Sequence, residues 1–305
     1  MTRSGYVAVS VAIVVLVAAL LWTNENNVSE KSQADFGRIE PMDLEKLKAR
    51  ILDKDWDALD IVDGAAQPEQ ALDLIAEMCR HDDPETREIA LNCAALISDA
   101  RIPMLLAAAL SDEDEDVRLY ALQALQEAYD ESIVESLVAN LENEDDTIRG
   151  GVALLLGQVG RLEAMEPLKS RLAVEPDEDT RRDIKLALAR LGDVEMREEF
   201  VSRMDVNDSR VRLGAIEDLK YIAARELAVR VRPAMDDLGQ GHMISDMNEP
   251  KPRFGRVCDA AVNLIAELCD NPFSFEPDRF RVYSDDEINE VKKFLESLKS
   301  EEAGN

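Results

Sequence analysis

From residue 83 onward, apolar and polar positions recur with a helical beat, and the beat itself repeats along the chain. Five segments align: DPETREIALNCAAL from Asp83, DEDVRLYALQAL from Asp114, DDTIRGGVALLL from Asp145, DEDTRRDIKLAL from Asp177 and DSRVRLGAIEDL from Asp208. In each, an arginine follows the aspartate by four residues, at Arg87, Arg118, Arg149, Arg181 and Arg212, and the steps between them are 31, 31, 32 and 31 residues. An apolar residue comes three positions after each arginine (Ala90, Ala121, Val152, Ile184, Ala215) and another seven after it (Ala94, Leu125, Leu156, Leu188, Leu219). That spacing draws one stripe along a helix.

Each unit then breaks and carries a second apolar stretch, predicting further helices over 101–110, 131–142, 161–174, 194–204 and 225–236. Gly157, Gly160 and Gly192 fall near the ends of first helices, where a left-handed cap is useful. One such hairpin cannot bury its own apolar side, whereas stacked neighbours can. The pattern therefore predicts an all-α fold, an α-solenoid of about seven stacked helical hairpins. Residues 83–237 supply five repeats, 42–82 amino-terminal capping helices, 238–253 an inserted loop, and 254–305 a capping repeat and tail. The motif resumes as VCDAAVNLI from Val257, with Cys258 in the arginine position, 46 residues after Arg212.

The D-x-x-x-[VTI]-R-x-x-A-x-x-x-[LA] register resembles the short HEAT-like repeats of the phycobilisome-lyase type. The likeness covers residues 83–237 clearly and 43–80 and 254–299 more loosely. It implies that the recurrent Asp and Arg are structural: the aspartate caps the first helix and the arginine reaches along or across the repeat interface to carbonyls or acids. The competing reading makes the arginine row a ligand site.

Residues 4–24 contain no charge and are bracketed by Tyr6 and Trp22. As a helix they would extend roughly 31 Å, close to the hydrocarbon thickness of a bilayer. We read 1–24 as a single-pass transmembrane anchor, with a cleaved signal peptide as the alternative, and the polar stretch 25–41 as a linker. Arg3 ahead of the span places the repeats on the extracytoplasmic side, the periplasm in a Gram-negative bacterium.

Charge changes the picture of the partner. The chain carries 64 acidic and 35 basic side chains, a net −29, and Arg3 is the only charge before residue 25. So negative a surface repels phosphate backbones, which argues against nucleic acid. It favours a basic protein or peptide through steering, or serves solubility alone.

Candidate chemistry is sparse. Two histidines (His81, His242) and four cysteines (Cys79, Cys93, Cys258, Cys269) show no zinc-ligand spacing. Cys258 and Cys269 lie eleven residues apart on one predicted helix, about 16 Å, too far for a disulfide; all four read as core residues. The acidic runs 112–116 and 142–146 lack the EF-hand pattern and sit where helix N-termini attract negative charge. No phosphate-binding loop, nucleophile elbow or zinc-protease motif occurs, nor any His-Glu pair of the kind that holds iron in deoxyhypusine hydroxylase-like relatives. No cofactor is expected.

Specificity is expected at the insert and the end of the chain. Phe254, Phe273, Phe275, Phe280, Tyr283 and Phe294 cluster there. One reading has them sealing the last repeat. The other makes Phe273 and Phe275, with His242, Met243 and Met247, a docking pocket. The sequence thus predicts a non-enzymatic, membrane-anchored scaffold for a protein or peptide. The alternative is a lyase-like or chaperone-like activity on a cofactor-bearing protein, through Cys258 or the insert.

Overall fold

The computed structural model describes residues 42–243 and 254–304. The apolar segment 4–24, the linker 25–41 and Met247 lie outside the described residues; among those described, no helix is long and apolar enough to cross a membrane. The unit Met42–Asn305 opens with helices Leu44–Leu52, Ala58–Asp63 and Leu72–Met78. Five first helices follow, Pro84–Ala95, Glu115–Leu125, Asp146–Val159, Glu178–Leu191 and Ser209–Ile222. Between them run the shorter second helices Ile102–Ala109, Val134–Asn140, Met165–Leu172 and Val194–Val201, and the unit closes on Val257–Leu268 and Asp285–Gly304. This is a HEAT-like helical solenoid.

Local chemistry sets each boundary. Asp83, Asp114, Asp145, Asp177 and Asp208 are the N-caps of the five first helices, and each carboxylate accepts from backbone N–H groups two or three residues on. Such a cap contributes about 1 kcal/mol. Gly160 and Gly192 end their helices at φ 77° and 105°, a left-handed conformation that costs a glycine little. The fifth second segment, Arg225–Asp236, is a 3-10 helix rather than an α-helix. Pro233 lies inside it and offers no N–H to the α ladder.

Packing explains why the hairpins stack. The two apolar registers, from Ala90 and Ala94 through to Ala261 and Ile265, are all at 1% exposure or less. Truncating a leucine in such a row costs about 2–5 kcal/mol. One continuous core runs from Leu47 to Leu191 and a second from Leu186 to Leu295, so the two meet where the fourth first helix packs on the fifth.

The fold departs from the all-α expectation in the insert. Gln240–Met243 and Phe254–Arg256 pair as a two-stranded antiparallel ribbon, so 238–253 is not a simple loop. The cause is at its base. The N–H groups of Val257 and Cys258 donate to the carbonyls of Gly239 and Asp237, both at 3.0 Å, as if the sixth first helix followed Gly239 directly. Joining the ends in this way holds the departing and returning strands side by side, within reach of ladder hydrogen bonds.

Candidate partner-binding cleft

The arginine row is consumed by the stack. Arg87 forks onto Asp112 of the next repeat through Nε and Nη2 (2.8 and 2.6 Å), while its Nη1 donates to the carbonyls of His81 and Asp82. Arg149 does the same with Glu175 (2.9 and 2.8 Å) and the carbonyls of Asn143 and Glu144. The position that holds an acid for Arg87 and Arg149 is Asn143 in the second repeat; Arg118 donates to Asp145 at 3.0 Å, and its buried Nε has no protein partner. Arg212 reaches Asp237 at 2.8 Å. Arg181 donates to the carbonyls of Leu172 and Glu175 and lies 3.8 Å from Glu178 of its own helix, but reaches no acid across the junction, because Val206 stands two residues before the next cap. At that junction the buried Asp218 accepts from Arg182 and Arg203 instead. With most of their donors turned onto carbonyls and acids of the stack, these side chains are poorly placed to hold a ligand.

Glu175 is the most enclosed of the acidic partners. Its side chain has no exposure, and it accepts from Arg149, from Arg171 Nε (2.8 Å) and from the N–H of Asp177 (3.1 Å). The Arg149 hydrogen bonds, reinforced by Arg171, hold its pKa down at about 2 against the opposing effect of burial.

The concave feature lies elsewhere. A cleft of about 350 Å³ opens between the fifth first helix, the ribbon, the helix Val257–Leu268 and the loop carrying Arg279, Phe280 and Arg281. Its floor is a fixed polar network. Asp259 accepts from Arg256 Nε (3.0 Å), Arg256 Nη2 (2.7 Å) and the Tyr283 N–H (3.0 Å), and the Tyr283 hydroxyl donates to Asn263 Oδ1 at 2.7 Å. The ribbon is tied down by His242, whose Nε2 lies 2.9 Å from Glu217 Oε1. That hydrogen bond raises the imidazole above its usual 6.5 and lowers the carboxyl. Met243 and Phe280 stand on the rim, 59% and 54% exposed, and Arg279 lies 4.5 Å over the Phe280 ring.

The residues singled out from sequence therefore separate. His242 and Met243 line the cleft; Phe273 and Phe275 do not. Those two stack on each other at 5.3 Å, Phe273 meets Phe294 edge-on at 5.7 Å and Phe275 tilts onto Tyr283, so they pack beneath the terminal helix. Both rings are half-buried there, in the sealing arrangement that the other reading of the aromatic cluster expects, and apart from the cleft that His242 and Met243 line. Sequence reasoning missed Lys220, Asn263 and Arg279 as cleft residues. Phe280, noted only as one of the clustered aromatics, takes the rim position.

The cysteines are free thiols. Burial pushes Cys79 and Cys93 up to about 12 and Cys258 up to about 11. Cys258 is fully buried, at the second position of its helix. Among the described residues, no group of three or more His, Cys, Asp or Glu is arranged to hold a metal ion.

The chain is similar to the complex of CpcE and CpcF of phycocyanin lyase from Nostoc sp., at 16% identity and TM-score 0.48, covering 88% of this chain and 100% of that one. It is also similar to the archaeal HEAT-like repeats protein from Thermococcus onnurineus, at 20% identity and TM-score 0.43, covering 76% and 98%. A third similarity is to human deoxyhypusine hydroxylase in complex with glycerol, at 14% identity and TM-score 0.34, covering 76% and 97%. No curated protein sequence matches. Residues 102–189 match the family described as HEAT repeats, and the chain is thus one that carries HEAT-like repeats.

Proposed function

We propose that this chain is a non-enzymatic scaffold, anchored to a membrane through residues 4–24 with its repeats on the extracytoplasmic side, that binds a protein or peptide partner. The observation that carries the reading is the cleft itself: a rigid polar floor with Met243 and Phe280 exposed on its rim, beside a ribbon inserted into an otherwise regular stack. Exposed apolar side chains around a preformed concavity are what a docking site requires. The net charge of −29 would steer a basic partner toward the repeat surface, with association slowing as salt rises. The uncharged stretch 4–24 supports the anchor, and alkaline extraction with sequencing of the mature amino terminus tests it.

The test of the scaffold is a photo-cross-linking amino acid placed at Met243, at Phe280 and, for contrast, at the exposed Val194, in intact cells. One recurring partner at the first two positions and not at Val194 supports the reading. Adducts absent from the cleft positions, or spread evenly over all three, overturn it.

A lyase-like reaction through Cys258 is disfavoured by burial of its sulfur. A thiol at about 11 is roughly one part in ten thousand thiolate at neutral pH. Adding tetrapyrroles should give no stoichiometric spectral shift that Cys258→Ala abolishes.

A further inference from the structure

The cleft carries a charge opposite to that of the molecule around it. Its three lining acids are each engaged by a lining base: Glu217 by His242, Asp259 by Arg256 at 2.7 Å and Glu267 by Lys220 at 3.2 Å. Two further cations, Arg279 and Arg281, also line it. Arg281 spends its guanidinium on Glu287, which is not a lining residue, and on the Glu276 carbonyl. Arg279 is exposed, and among the described residues no carboxylate lies within 4.0 Å of it; its guanidinium lies over the Phe280 ring. A local positive surplus beside exposed Phe280 and Met243 thus sits in a chain of net charge −29.

From this we propose that the cleft docks an acidic peptide segment bearing a large apolar side chain. The inference rests on the scaffold reading and names the chemistry of its partner at this one site. The apolar side chain packs between Met243 and Phe280, and a flanking carboxylate pairs with Arg279. A basic segment would bring its charges against Arg279 and Arg281, with no unengaged acid among the described lining residues to receive them. The molecule's overall charge does not forbid the match. Beyond about 8–10 Å it is screened at physiological salt, whereas contacts inside the cleft are not. Its residual repulsion has a signature: association of the acidic segment speeds up as salt rises, the reverse of a basic partner steered to the repeats.

The test is a library of random twelve-residue peptides, selected for binding to the full-length chain and sequenced. Peptides enriched in Asp and Glu around one large apolar residue are expected. Their affinity should fall at least tenfold in Phe280→Ala, and their enrichment should give way to basic peptides in Arg279→Glu combined with Lys220→Glu. Both altered positions are exposed ones outside the buried floor, and circular dichroism with an unchanged melting midpoint verifies folding. Enrichment of basic peptides on the native chain, selection unaffected by the charge reversal, or no selection above background would each overturn the proposal. The cross-linking experiment keeps the two claims apart. A partner captured at Met243 through a basic segment leaves the scaffold reading standing and removes this one.

Discussion

Replacing Glu175 by glutamine tests the repeat-to-repeat clamp at its most buried point. The carboxylate accepts four hydrogen bonds, two on each oxygen, from Arg149 Nε and Nη2, Arg171 Nε and the Asp177 N–H. Glutamine keeps one accepting oxygen and turns an NH2 toward donors on the other side, so two of the four contacts become repulsive. The charge matters as well. A carboxyl lowered from 4.5 to about 2 in the folded chain contributes about 3 kcal/mol at neutral pH. For a depressed acid, that contribution is fully present above its unfolded value and disappears as pH falls through its folded one. Glu175→Gln should therefore lose about 3 kcal/mol at pH 7, and the gap to the native chain should narrow to about half that near pH 3. Urea unfolding followed by circular dichroism at a series of pH values measures both. A loss under about 1 kcal/mol at pH 7, or a gap that stays constant down to pH 3, would refute the reasoning.

Further outcomes follow from other positions. Gly157→Ala should cost about 1–3 kcal/mol in thermal or urea unfolding, because its Cβ would fall 2.2 Å from the Tyr221 hydroxyl and 3.0 Å from the Ala187 backbone. In a Tyr221→Phe background, which gives up the 2.6 Å bond to the Leu154 carbonyl, the same change should cost measurably less. Ala223→Gly should raise stability by up to about 1 kcal/mol, since Ala223 ends its helix at φ 53°. The imidazole of His242 should titrate above 6.5 by NMR and return toward it in Glu217→Gln. Because its folded value is raised, its contribution to holding the ribbon is complete below 6.5 and is lost as pH rises through the folded value. Cys93 and Cys258 should resist a thiol reagent in the native chain and react on unfolding.

The repeat helices were legible because each obeys strong local rules. An aspartate that must accept from free N–H groups, and apolar positions that must face one way, leave marks at fixed spacing. The partners of the arginines were not, because they occupy a position whose residue changes from repeat to repeat. His81, Asp112, Asn143, Glu175 and Val206 all stand two residues before a cap. Reading that position down the alignment would have shown where the row arginine finds an acid two residues before the next cap, at Asp112 and Glu175, but not the pairs that replace it elsewhere, Arg118 with Asp145 and Arg182 with Asp218. The run from Asp112 to Asp116 shows the limit of a composition argument: Asp114 caps a helix while Asp112 binds Arg87. The cleft was hidden for a different reason. Lys220, Asn263 and Arg279 lie far apart in sequence and meet only because the ribbon is spliced in at Gly239 without disturbing the next helix. Phe280 and Phe275 look alike in sequence, yet one stands on a rim and the other beneath the last helix.

Hydrogen exchange of the full-length chain, with and without the partner captured at Met243, separates surface that binds from structure that supports. The account predicts slowed exchange in residues 209–222, 240–243, 254–268 and 277–284, with unchanged rates in the capping turns at 81–87, 112–118, 143–149 and 175–181. Protection concentrated in those capping turns would contradict it, because the arginine row would then be the binding surface and the cleft a bystander.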